Sequence, residues 1–125
     1  MKTIQKQASS MIEVNKSKFV AIAMPLNNVD DFKDVLKNVQ KEHSKAKHVV
    51  YAYRVGVKSK SCDDQEPKGT AGKPLLELLH KKDLNNLVIF VARYFGGIKL
   101  GASRLLRTYL QAGIEVLNNA EIVEK

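Results

Sequence analysis

The chain has 125 residues, 44% hydrophobic and 27% charged, with 21 basic against 13 acidic side chains and a formal net charge of +8. That size and apolar content support one ordinary domain with its own core. No apolar run is long enough to cross a bilayer, residues 1–6 lack the apolar stretch of a secretory leader, and the single cysteine excludes an internal disulfide framework, so a cytoplasmic protein with no membrane partner is expected.

In chain order, residues 10–14 alternate as a strand, Asn15, Lys16 and Ser17 turn, and residues 18–24 form a second strand closed by Pro25. Asn28 reads as an N-cap, with Asp30 and Asp31 where a helix dipole favours acids. Val29, Phe32, Val35, Leu36 and Val39 then recur at helical spacing, which predicts a helix over 29–43. Residues 49–57 read as a third strand. Lys58, Ser59, Lys60 and Ser61 are a polar run that leads into a long loop. Pro74 suits the first position of a short helix carrying Leu75, Leu76, Leu78 and Leu79, which Asn85 and Asn86 break. Residues 87–92 are a near-continuous apolar run, as in a central strand covered on both faces. Gly96 and Gly97 end it. A helix over 100–118 places Leu105, Leu106, Tyr109, Leu110, Ile114 and Leu117 on one face, with Gly113 allowing close packing. Residues 121–123 are a last short strand or a frayed tail. The class is α+β: a single two-layer domain, with helices on a mixed β-sheet.

Three stretches carry more fixed charge and glycine than a core needs, and loops on a rigid scaffold are where binding concentrates. The first is acidic. Asp63, Asp64 and Glu66 fall within four positions. Such a cluster suits a divalent ion or an acid/base pair, and equally suits carboxylates that pair with Arg54 or Arg93 and cap backbone N–H groups. The second runs through Gly69, Thr70, Gly72 and Lys73 to Pro74. Its free N–H groups ahead of a helix could capture an anion, or form a tight turn beneath the acidic loop; its spacing matches no nucleotide-binding glycine motif.

The third stretch holds Arg93, Tyr94, Gly96, Gly97, Lys99, Gly101, Arg104 and Arg107, with no acid between the first and last. Basic groups beside Tyr94 and Phe95 suit stacking on bases and pairing with phosphates. The bland alternative is a core Phe95 and a solvated arginine face. The overall positive charge fits a polyanionic partner, and also fits simple solubility charge. Negative neighbours make Cys62 a poor nucleophile, and His43, His48 and His80 have no partner visible in the sequence.

Together, His48, Tyr51-Ala52-Tyr53-Arg54, the acidic and small-residue loops over 63–74, the run from Arg93 to Gly101, and Arg107 with Tyr109 resemble the IMPACT family N-terminal domain, the YigZ group in bacteria. The resemblance spans about residues 11–117. It implies the left-handed β-α-β fold of a ribosomal-protein second domain. It also implies a role in regulating translation, since eukaryotic members restrain the amino-acid-starvation kinase by binding its activator. By resemblance, the two loops and the glycine turn form the family's signature surface. Gln65 stands where the family usually has glycine, and Ser103-Arg104 where it usually has a glycine pair. The second, ferredoxin-like domain of bacterial relatives is expected to be absent.

The expectation is a non-enzymatic, translation-associated protein that binds RNA, the ribosome or a translation-related protein through Arg93, Lys99, Arg104 and Arg107, with Tyr94 stacking on a base. No catalytic residue, metal or cofactor is assigned. The alternative is a small metal-assisted hydrolase or transferase that uses Asp63, Asp64 and Glu66 on an anionic substrate.

Overall fold

The structure, a computed structural model, describes residues 1–125. Its elements are β1 (Lys2–Ile4), β2 (Ala8–Val14), β3 (Ser17–Pro25), a 3-10 turn (Val29–Asp31), α1 (Phe32–Glu42), β4 (His48–Val55), β5 (Lys58–Cys62), α2 (Gly72–Lys81), β6 (Leu87–Tyr94), α3 (Ala102–Asn118) and β7 (Ile122–Glu124). Five strands form one sheet in the order β2-β3-β6-β4-β5, with every neighbouring pair antiparallel. β1 and β7 make a separate antiparallel ribbon, and a parallel bridge from Lys2 to Leu84 ties it to the body.

The apolar run of β6 puts it at the centre. Its side chains alternate between two cores, as strand geometry requires. Leu87, Ile89 and Val91 pack with Phe19, Val50, Leu75, Leu79, Tyr109 and Val116 beneath α2 and α3. Val88, Phe90 and Ala92 pack with Phe32, Val39, Tyr51 and Tyr53 beneath α1. The α+β class with helices on a sheet is therefore present, and the expected two layers become three. A strand that is apolar on both faces must be covered on both, and α1 takes the face that α2 and α3 leave.

Strand order and helix placement together constrain handedness. β3 and β4 run parallel to each other with β6 between them, joined through α1; β5 and β6 run parallel with β4 between them, joined through α2. The second crossover reverses both strand direction and the direction of travel across the sheet. Those two reversals cancel, but α2 lies on the opposite face from α1. The two units therefore have opposite hands, and one of them is left-handed, against the strong general preference for right-handed crossovers. This agrees with the left-handed unit implied by the family resemblance.

Local differences have local causes. Asn28 accepts from Asp30 N at 2.9 Å, but the first turn it caps is 3-10, and the α-helix proper begins at Phe32. The polar run expected as loop is strand β5, joined to β4 through Gly56 and Val57. It is an exposed edge, so it shows no apolar alternation, and its lysines suit an unpaired strand edge. α2 starts two residues before Pro74, at Gly72. In α3 the buried face is Leu105, Tyr109, Ala112 and Val116, while Leu106 is exposed. Gly113 does lie against α2: a Cβ there would come within 2.8 Å of Leu75 and 2.9 Å of Leu78.

Phe32 joins α1 to the sheet, with ring centroids 4.8 Å from Tyr51 and 4.7 Å from Tyr53. Phe32→Ala is expected to lower unfolding free energy by about 3–5 kcal/mol, the usual cost of emptying an aromatic core site. Urea denaturation checks this, and a loss below about 1 kcal/mol would show that α1 is not held by this contact.

Candidate functional site: a buried charged lock beside a basic turn

Glu66 is 7% exposed and Arg93 5% exposed. Charged side chains are almost never so buried unless paired, and these are paired. Arg93 Nη1 donates to Glu66 Oε1 at 3.0 Å and to Oε2 at 2.8 Å. The Tyr109 hydroxyl also donates to Glu66 Oε2. His48 Nε2 lies 3.5 Å from Oε1. The acidic loop, the end of β6, the middle of α3 and the start of β4 thus meet at one carboxylate. Burial first, then the hydrogen bond to Glu66 and its negative charge, push the Tyr109 phenol far above its ordinary range.

The other acids are also turned inward. Asp63 Oδ1 accepts from Ala71 N at 3.2 Å and Gly72 N at 2.8 Å, and Oδ2 accepts from Gly69 N at 2.9 Å. Asp63 is thus the anion that satisfies the start of α2, so those N–H groups are not open to a ligand. Gly72 sits against the backbone of Cys62, where an added Cβ would fall 2.6 Å from Cys62 N. Thr70 Oγ1 donates to Pro67 O at 2.5 Å, holding the loop between them. Lys73 points outward, 4.0 Å from Glu77 on the next turn of α2. Asp64 Oδ2 accepts from Val49 N at 2.7 Å, continuing the β4 ladder past the end of β5. Gln65 has φ +69°, a conformation that favours glycine. Of the alternatives open for the acidic cluster, the geometry is that of pairing and capping: the three carboxylates address three separate sets of partners.

Past β6 the chain turns outward. Gly96 N donates to Ser17 Oγ at 3.1 Å, seating the turn on the β2–β3 connection. Gly97 and Gly101 have φ of +94° and +82°. Lys99, Arg104 and Arg107 are exposed. Tyr94 is not beside them. It shares the face of Phe90, and its hydroxyl lies 2.5 Å from His43 Nδ1, at the end of α1. The exposed aromatic is Phe95, 40% accessible, with Lys47 Nζ 4.4 Å from its ring centre. A cleft of about 250 Å³ opens here. Its walls include Lys47, His48, Glu66, Arg93, Phe95 and Lys99, and Gly101 and Ala102 bring in the start of α3.

The structure therefore brings Glu66, Arg93, Lys99 and Gly101 to one cleft and leaves Asp63, Gly69, Thr70, Gly72 and Lys73 around the start of α2. Lys47, His48, Phe95 and Tyr109 join the site: Lys47 is new to it, Phe95 stood in the sequence only as an aromatic beside the basic run, and His48 and Tyr109 only within the family resemblance. The alternation of β6 carried a signal for one of them: continued past Ala92, it puts Phe95 on the face of Arg93 and Tyr94 on the other.

Residues 15–117 match the model of the Impact N-terminal domain. The IMPACT family member YvyE of Bacillus subtilis is 36% identical over 98% of this chain and 58% of its own length. The crystal structure of a hypothetical protein superposes with a TM-score of 0.94 at 29% identity, covering 99% of this chain and 63% of that one. The two-domain translational regulator Yih1 superposes with a TM-score of 0.62 at 26% identity, covering 93% of this chain and 48% of that one. The chain thus spans less than two thirds of each of these relatives.

Two measurements test the lock. Glu66→Ala leaves a buried, unpaired guanidinium and is expected to cost about 3–5 kcal/mol, with much of the loss recovered in Glu66→Ala/Arg93→Met; equal loss in single and double variants would exclude a coupled pair. For Tyr109 the folded pKa is raised, so its contribution is complete below the unfolded value of about 10 and is lost as pH rises above it. Above that pH the unfolded chain has released a proton that the folded chain keeps. Wild-type stability should fall there by about 1.4 kcal/mol more per pH unit than that of Tyr109→Phe. Urea midpoints between about pH 8 and 11 read this directly, and parallel curves would exclude it.

Proposed function

The chain belongs to the Impact N-terminal domain family, and we propose that it acts in the regulation of translation, in the cytoplasm, by binding RNA through the basic glycine turn. The observation that carries this reading is the separation of charge at the site. The nearby acids are consumed inside the protein: Asp63 on the start of α2, Asp64 on Val49, Glu66 on Arg93 and Tyr109. The cations Lys47, Lys99, Arg104 and Arg107 are exposed. The acidic loop therefore does not cancel the field of the basic turn, and a positive surface without interspersed acids attracts phosphates.

Roles differ from residue to residue. Lys99, Arg104 and Arg107 contact phosphates, the last two from one side of α3 at three-residue spacing. Phe95 supplies the stacking surface in place of Tyr94, whose ring is packed at the other face. Arg93 does not reach the partner as a free cation; it holds Glu66 and shapes the cleft wall. A relative named as a translational regulator shares this fold, which supports the same process for this chain.

Fluorescence anisotropy with short single-stranded and structured RNA tests the proposal. Affinity should fall on the order of tenfold between about 50 and 200 mM salt, as expected for about three phosphate contacts. Lys99→Glu/Arg104→Glu should abolish binding while leaving the melting temperature unchanged. Binding that ignores salt, or that survives in this variant, overturns it. The absence of any RNA binding by the wild type overturns it as well.

A further inference from the structure

The cleft beside the basic turn has the chemistry of a site for one compact oxyanion. α3 begins at Ala102 behind Gly101, which has no side chain to cap it, and the first hydrogen bond made there is Leu105 N to Gly101 O at 2.9 Å. The N–H groups of Ala102, Ser103 and Arg104 have no partner in the chain. The start of α2, by contrast, is filled by Asp63. An open helix start is a weak observation alone, but Arg93 adds an independent one. It lines the same cleft at 5% exposure, gives Glu66 only Nη1, and its Nε is buried with no hydrogen-bond partner. Beyond Nη1 the guanidinium makes no hydrogen bond within the chain, so positive charge and donor capacity are left over at the cleft wall.

Charge and size point the same way. Lys47, Arg93 and Lys99 line the cleft against one carboxylate, Glu66, which already accepts from Arg93 and Tyr109. Lys47 is fixed at the rim by its backbone N–H, which donates to Arg93 O at 2.8 Å. At about 250 Å³, the cleft is smaller than the roughly 300–1,000 Å³ typical of sites that enclose a drug-sized molecule. Helix N–H groups, a guanidinium edge and two flexible ammonium groups together suit a tetrahedral dianion.

We propose that this cleft binds a phosphate monoester: the terminal phosphate of an RNA end or nucleotide sits at the start of α3, against Arg93, with Lys47 and Lys99 closing over it. This rests on the RNA reading for its source, though not for its chemistry. It places a chain end, rather than the middle of a strand, at the cleft. Phe95 at the rim is then positioned beside the terminal base.

The test is an amide and guanidinium NMR titration of the wild-type protein with inorganic phosphate, against chloride at matched ionic strength. Saturable shifts at the amides of Ala102, Ser103 and Arg104 and at the Arg93 guanidinium are expected with phosphate alone. Lys47→Ala/Lys99→Ala, which changes only exposed side chains, should weaken phosphate binding about tenfold or more. Non-saturating shifts that follow ionic strength overturn the site. A second arm compares 5′-phosphorylated and 5′-hydroxyl forms of one RNA oligonucleotide. Tighter binding of the phosphorylated form, with the same amides moving, supports a terminal monoester. Equal binding of both forms with those amides unmoved overturns it and leaves the basic-turn reading intact. Phosphate binding at α3 with no affinity for either RNA retains the oxyanion site, overturns the RNA reading and assigns the cleft to a phosphorylated small molecule.

Discussion

Everything around the site depends on one buried ion pair. Glu66 and Arg93 are among the most enclosed polar residues of the protein, and each belongs to a different part of the chain. Burying two charges is costly, and a pair like this is weak grounds for claiming net stability over an apolar replacement. Its effect is positional. The carboxylate, carried by the acidic loop, is satisfied only when the end of β6 and the middle of α3 are in place to bring Arg93 and Tyr109, and His48 at the start of β4 lies 3.5 Å from it. The side chains that shape the cleft are thereby set by the core and not by the exposed turn. A binding surface on a glycine-rich turn gains most from such support, since the turn itself has few contacts to hold it.

The sheet explains why these segments can meet. Interleaving two split crossovers sends β6 between β3 and β4, so the end of β6 and the start of β4 lie side by side, with His48 opposite Arg93 in the register. Lys47 precedes that pair and falls at the same edge. α3 leaves β6 directly and crosses the same face, which puts its open start and Tyr109 over Arg93. One of the two crossovers must be left-handed for α1 and α2 to lie on opposite faces. The unusual hand is thus part of what gathers four distant segments at a single point.

What was legible in the sequence follows from how each element announces itself. α1 and α3 carry strong apolar periodicity and β6 a continuous apolar run, and all three were readable, α3 to within two residues of its start. β5 was not, since an exposed edge strand of lysine and serine has no buried face to leave a pattern. The start of α2 was misplaced because its cap, Asp63, lies nine positions before the Gly72 N–H that it accepts from. The site followed the same rule. Asp63, Asp64 and Glu66 stood out as a cluster, but a local cluster looks the same whether it faces solvent or its own backbone. Glu66 finds Arg93 27 positions away and Tyr109 43 positions away, distances over which composition and spacing carry no pairing information.

The same locality explains why a segment with both acids and bases presents only one sign. Each acid of the 63–66 loop meets backbone N–H groups or a guanidinium within reach of a short, folded loop, and such charge-assisted hydrogen bonds outweigh solvation at a half-buried position. The cations after β6 have long stems and no acid nearby, so they remain in water. At the site, charge that looks balanced when read along the chain is therefore sorted by depth: the acids of the 63–66 loop are turned inward, Glu66 together with Arg93, while Lys47, Lys99, Arg104 and Arg107 stay outside. The positive surface at the cleft comes less from the overall excess of lysine than from the acids having been withdrawn to build the scaffold beneath it.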